Sequence, residues 1–250
     1  MPLTIDQAFC VRVWDWSETS QTVSLFSREH GMVRCVAKGS KRDKGSFSGG
    51  LEVFTLGEMV ASIKTGGQLS ILASWDLAEI FPAVRQSLSS FHAAFTLLDL
   101  TLHAVTDQDP HPPLFDGLLA AARGLGEVQR DRVTVLWFLW MLLTETGHRP
   151  ELLQDTVHGG ELAAAASYGF SARAGGLTRD DAKGDGVWRV RAETVGVLRG
   201  LGGGEGVKPE RLAGIDGAVV GRATRLLAMY YREVFGVEPA QVARLLKAGE

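Results

Sequence analysis

At 250 residues, with 45% apolar and 22% charged side chains, the chain is long enough for one large or two ordinary domains that need neither disulfides nor metals. A formal net charge of −3 excludes a uniformly basic nucleic-acid coat, so a cationic surface has to be local. Cys10 and Cys35 are too few and too far apart for a disulfide framework or a CxxC zinc pair, and read as small core residues. The longest apolar run, 133–143, falls well short of the roughly 20 residues of a membrane span. No basic stretch followed by an apolar run opens the chain, which gives the expectation of a cytoplasmic protein with no membrane contact.

From Ile5 to Glu79 the pattern has period two. Phe9, Val11 and Val13 alternate with Cys10, Arg12 and Trp14, the run 22–25 alternates again after a polar turn, and Glu29-His30-Gly31 turns the chain into a third strand. There Val33, Cys35 and Ala37 share one face and Arg34, Val36 and Lys38 the other, one side core-like and the other suited to binding. A basic, glycine-rich loop follows. Between Ser27 and Phe47, Arg28, Arg34, Lys38, Lys41, Arg42 and Lys44 oppose only Glu29 and Asp43, a surplus of four positive charges on an acidic background. Strands at 54–63 and 69–75 complete five in about 75 residues, the number and spacing of a small OB-type barrel. Periodicity alone leaves an SH3-like barrel open, and the long connection between the third and fourth strands favours the OB fold.

Beyond Pro82 the period becomes helical. Leu88, Phe91, Phe95, Leu98, Leu102 and Val105 define a helix over 84–106, and Pro112 and Pro113 open a second that runs to Gly124. Asp131 reads as the N-cap of a third, apolar on nearly all sides over 133–143 and so central to a bundle. Residues 148–191 read as irregular. A short helix at 192–199, a glycine-rich hinge at 200–206, a long helix at 216–235 with Arg222, Arg225 and Arg232 outward, and a final helix at 240–246 complete the pattern, an α+β chain.

No nucleophile elbow, phosphate loop or HExxH motif is present, and six histidines are scattered without ligand spacing. Asp155 and His158 stand three apart, but no second pair accompanies them. Trp14, Trp16 and Trp75 in the barrel region suit either a base-stacking platform or core packing; Trp137 and Trp140, on the apolar helix, suit the core.

Several anchors in order resemble the RecO family of bacterial recombination mediators: Ser17-Glu18-Thr19-Ser20, then Leu25-Phe26-Ser27-Arg28-Glu29-His30-Gly31-Met32-Val33-Arg34, Val36-Ala37-Lys38-Gly39, and Phe47 through Leu51-Glu52 to Phe54-Thr55-Leu56-Gly57-Glu58. Weaker echoes follow at Asp109-Pro110-His111-Pro112-Pro113-Leu114-Phe115 and at Phe170-Ser171-Ala172-Arg173-Ala174-Gly175-Gly176-Leu177. The resemblance implies an OB-fold nucleic-acid-binding domain over 1–80 and a helical domain over 81–250. It implies a non-enzymatic protein, without cofactor, that binds single- and double-stranded DNA and anneals strands. With RecR, and RecF in some settings, such a protein helps RecA replace single-strand-binding protein, whose C-terminal tail docks in the helical domain. The family's basic barrel surface falls on Arg34, Lys38, Lys41, Arg42 and Lys44. Arg28 and Trp14 join these from charge and alternation as the expected nucleic-acid-binding residues. Many relatives carry a four-cysteine zinc module in the irregular segment. The matching places here are Asp155, His158, Arg179 and Ala182, so the expectation is no metal.

Overall fold

The computed structural model describes residues 2–42, 46–48, 50–64, 66–180, 186–202, 209–212, 214–239, 241, 242 and 244. Five strands form an antiparallel meander with one crossover: β1 (Thr4–Asp15), β2 (Gln21–Ser27), β3 (Gly31–Ala37), β5 (Thr55–Ser62) and β6 (Ser70–Ile80), in the order β3-β2-β1-β5-β6. Parallel pairing of Cys35–Ala37 on β3 with Ser70–Leu72 on β6 closes the ring, which is the OB-type strand order. The two-residue β4 (Phe47–Ser48) brings the basic loop back onto β6 opposite Trp75 and Asp76.

The barrel interior is built from alternate positions: Cys10, Leu25 and Val33 lie in register, as do Val23 and Cys35, with Met59, Leu72 and Trp75 completing the filling. Trp75 fits because Gly57 faces it; a methyl group there would stand inside the indole ring and 2.7 Å from the Asp76 carbonyl oxygen. A β-bulge between Cys10 and Arg12 changes the phase of β1. Phe9 and Val11 therefore point outward to the helices, Val13 packs inward, and Arg12 and Trp14 turn outward. This corrects the single alternation expected for β1, in which Phe9, Val11 and Val13 shared one face.

Part of the barrel's outer surface is a seam with the helices. Phe9 meets Phe115 at 5.4 Å between ring centroids and Phe81 at 5.9 Å, while Phe26 reaches Phe115 at 5.8 Å. Strand and helix residues thus belong to one continuous core. The helices are α1 (Ala83–Gln86), α2 (Leu88–Ala104), α3 (Pro112–Gly124), α4 (Val128–Glu145), α5 (Ala192–Gly202) and α6 (Gly217–Phe235). The helix expected over 84–106 is broken at Ser87, whose extended backbone (φ −138°, ψ 133°) lets its hydroxyl accept from the Ser90 amide. Asp131 is not an N-cap: α4 begins three residues earlier, and the wholly buried carboxylate accepts from the Ser90 hydroxyl (3.0 Å) and the Gly126 amide (2.9 Å), tying α2 to the start of α4. Helix α6 is as expected, capped by Asp216 and ended by Gly236 in the left-handed region (φ 71°).

The segment expected to be irregular contains a second sheet, β7 (Ser167–Ser171), β8 (Gly176–Thr178) and β9 (Val187–Arg191), in the order β8-β7-β9. Its inner residues pack on α6, with Phe170 stacked on Trp188 (6.0 Å) and edge-on to Tyr230 (5.4 Å). The residues 203–208 of the expected hinge, and most of the expected final helix, lie outside the described ones.

Candidate nucleic-acid interface

Register places the outward residues of β1, β2 and β3 in two rows. Arg12, Ser24 and Arg34 lie opposite one another, and so do Trp14, Thr22, Val36 and, through the closing pair, Ile71. Arg12 and Arg34 are thus two strands apart, about 9–10 Å, and Lys38 lies four residues, about 13 Å, along β3 from Arg34. Arg12, Arg34, Lys38, Lys41 and Arg42 are all exposed. The loop carrying Lys41 and Arg42 is tied to the β1–β2 turn: the Lys41 amide donates to Thr19 O (3.2 Å), the Gly39 amide to the Ser20 hydroxyl (3.2 Å), and the Ser40 hydroxyl to Gln21 (3.0 Å). Gly39 sits at φ +73°, the backbone value that lets the strand turn into this loop.

Trp14 is 45% exposed, with the Arg12 guanidinium 5.2 Å above its ring, and Trp16 in the adjoining turn is 64% exposed. Of the three tryptophans considered for a stacking platform, these two stand at the basic surface. Trp75 does not: it is 1% exposed in the barrel core. Apolar Val36 and Ile71 extend the Trp14 row, and Ile71 is 40% exposed.

The cations are not equally available. Arg34 Nε lies 3.2 Å from Asp107, on the α2–α3 loop that bridges to Met32, and Lys41 Nζ lies 2.7 Å from Asp15. The Lys41 side chain donates to the Asp15 carboxylate and holds its pKa below the usual range. Lys38 and Arg42 form no ion pair among the described residues. Lys44 lies outside those residues. Arg28 is separated from the group: it stands at the far end of the β2–β3 hairpin, about 20 Å of strand from Lys38. Its guanidinium grips Asp116 of α3 through two bonds (3.0 and 2.9 Å) and reaches Glu29 at 2.6 Å. That makes it a clamp between barrel and helices. Arg12 was missed as a site residue, although its alternation with Trp14 was the available signal. The exposure of Ile71 had no sequence signal, because it depends on the closing pair.

Of the four places that the resemblance matches to a zinc module, three come together: Asp155, His158 and Arg179. Asp155, its side chain 1% exposed, accepts from the amides of Val157 (3.0 Å) and His158 (2.9 Å) and from the Thr178 hydroxyl (2.8 Å). Arg179 Nε and His158 Nδ1 each lie 3.2 Å from its other oxygen. Burial opposes ionisation of this carboxyl, but the donors outweigh it and hold its pKa well below the carboxylate range. Ala182 lies outside the described residues. Among the described residues no three His, Cys, Asp or Glu side chains are grouped as metal ligands, and no helix is long and apolar enough to cross a membrane. Cys10 and Cys35 are free, buried thiols.

The fold and this face define a class: an OB-type barrel with a cationic, aromatic outer surface, fused through an aromatic seam to a helical bundle. Residues 1–81 match the family model for the recombination protein O N terminal, and residues 85–240 that for the recombination protein O C terminal. The chain belongs to the RecO family of DNA repair proteins. It is similar to the DNA repair protein RecO of Cutibacterium acnes, 30% identical over 80% of this chain and 82% of that one. The Azoarcus sp. protein of the same name is 29% identical over 97% and 96%. The Rhodopirellula baltica protein is 32% identical over 61% of this chain and 56% of its own length.

Proposed function

We propose that this chain is a recombination mediator that binds single- and double-stranded DNA through the outer face of β1–β3 and anneals complementary strands. The observation that carries the reading is the grouping of Arg12, Arg34, Lys38, Lys41 and Arg42 around the exposed rings of Trp14 and Trp16. Cations displace counterions from phosphates and give affinity without sequence readout, while open rings accept unpaired bases. A face that neutralises two strands at once lowers their repulsion and leaves base edges free to pair. Membership of the family supports the rest: a non-enzymatic, cytoplasmic protein that acts with RecR, contacts the C-terminal tail of single-strand-binding protein and so helps RecA load. We take residues 1–80 as the DNA-binding unit and 81–250 as the helical unit.

A second reading, a scaffold that bridges RecR and single-strand-binding protein with little DNA contact, draws on the ion pairs that occupy Arg34 and Lys41. Annealing of complementary oligonucleotides separates the two. The mediator reading expects the protein to accelerate annealing and the variant Lys38→Ala/Lys41→Ala/Arg42→Ala to lose the acceleration; equal rates with wild type, variant and buffer would favour the scaffold.

A further inference from the structure

Asp107 stands at the edge of the cationic face, and several contacts hold it there. The end of β3 is paired with β6, whereas residues 31–34 have β2 on one side and the α2–α3 loop, residues 105–111, on the other. The loop joins β3 through a parallel bridge between Met32 and Asp107, with the Gln108 amide donating to the Met32 carbonyl (3.0 Å). The Gln108 side chain donates to the Lys64 carbonyl, between β5 and β6 (2.5 Å), from a backbone in the left-handed region (φ 60°). The backbone of Asp109 passes so close to Gly31 that a methyl group there would stand 2.1 Å from its carbonyl oxygen. The loop is thus seated on the barrel rim, and it presents the Asp107 carboxylate to Arg34, whose Nε lies 3.2 Å away. Among the described residues the Asp107 side chain has no second partner, so its charge is not needed to shape the loop itself.

We propose that Asp107 is a built-in competitor for the phosphate that Arg34 would otherwise hold, so that the helical half of the chain sets how tightly the barrel face grips DNA. This rests on the mediator reading above and adds a regulating residue to the same face. A carboxylate and a phosphate offer a guanidinium the same kind of charged oxygen, and both draw on the same donors. DNA must therefore loosen the Arg34–Asp107 pair before Arg34 neutralises a phosphate. The side chains are 56% and 39% exposed, which keeps the pair within the strength of ordinary surface ion pairs. The grip is lowered rather than abolished, and a face held below its full affinity releases more readily the duplex that it has helped to form. Asp15 engages Lys41 in the same way, but both of those belong to the barrel, whereas Asp107 links the face to the helical half.

The test compares Asp107→Asn with Asp116→Asn, which removes the same charge from the helical half but beside Arg28. Arg28 lies four residues, about 13 Å along β2, from Ser24, the residue opposite Arg34, and so beyond a Debye length of about 10 Å at 0.1 M salt. Both aspartates are exposed and asparagine keeps their size, so neither substitution opens the core. Fluorescence anisotropy of the full chain with labelled oligo-dT at about 0.1 M salt should show Asp107→Asn binding about two- to fivefold more tightly than wild type. Asp116→Asn should stay within about 1.5-fold of wild type. In an Arg34→Ala background the gain from Asp107→Asn should fall below about 1.5-fold, because its effect passes through Arg34. Equal affinities for Asp107→Asn and wild type, an equal gain from Asp116→Asn, or an undiminished gain in the Arg34→Ala background would overturn the inference. Failure of the mediator reading is a separate result, in which wild type and Lys38→Ala/Lys41→Ala/Arg42→Ala bind oligo-dT alike.

Discussion

Replacing Asp155 by alanine tests whether its carboxylate holds residues 155–158 onto β8. The change removes the acceptor of the Thr178 hydroxyl, a residue 0% exposed, and of the Val157 and His158 amides, which stand nearer solvent. An orphaned buried donor costs about 1–3 kcal/mol, and water replaces part of the amide bonds, so a loss of about 2–4 kcal/mol is expected. For a chain of this size that is about 5–15 °C in melting temperature. Arg179→Gln, at a side chain 61% exposed, should cost less than about 1 kcal/mol. The pH dependence has a defined sign. Because the folded-state pKa of Asp155 lies below its unfolded value, its contribution is complete above about pH 4 and fades as pH falls through the folded pKa. Thermal melts followed by circular dichroism between pH 3 and 7 should show wild type losing more stability in acid than Asp155→Ala. A variant that melts within about 2 °C of wild type at pH 7 would refute the reasoning.

Trp14→Ala should weaken single-stranded DNA binding by about 1–3 kcal/mol, measured by anisotropy, with a smaller loss for duplex, whereas Trp75→Ala should cost about 3–5 kcal/mol of stability by opening the barrel core. Arg28→Ala should leave DNA affinity within about twofold and lower stability by no more than about 1 kcal/mol, since its partners are exposed carboxylates; a large loss of DNA binding would return Arg28 to the interface. Burial pushes both thiols up to about 12, so neither Cys10 nor Cys35 should react with a disulfide reagent at pH 8 until the chain is unfolded. Rapid labelling of the native protein would contradict the packing described.

Alternation in β2 and β3 made the barrel and its cationic outer face legible, because Arg34 and Val36 fall on one face of β3, with Lys38 just past its end. The phase of β1 was not legible, since a single extra residue at the bulge inverts every side chain after it. The second sheet was hidden by length: β8 has three residues, too few to show a period. Asp131 resembled a cap because the carboxylate that ties α2 to α4 sits one turn into its helix, where sequence spacing does not distinguish the two roles. Within the site, positive charge was readable and its compensation was not. Asp107, the partner of Arg34, and Asp116, one of the two partners of Arg28, come from the helical half of the chain, and no local pattern announces them.

The central claim is that the outer face of the barrel grips phosphates, and a salt series measures it most directly. If Arg12, Arg34, Lys38, Lys41 and Arg42 each meet one phosphate of a single strand, affinity should fall about 100-fold between 50 and 200 mM salt; with Lys38, Lys41 and Arg42 replaced by alanine the fall should shrink to about sevenfold. Wild type and variant with the same affinity and the same salt slope would place DNA elsewhere and contradict the account.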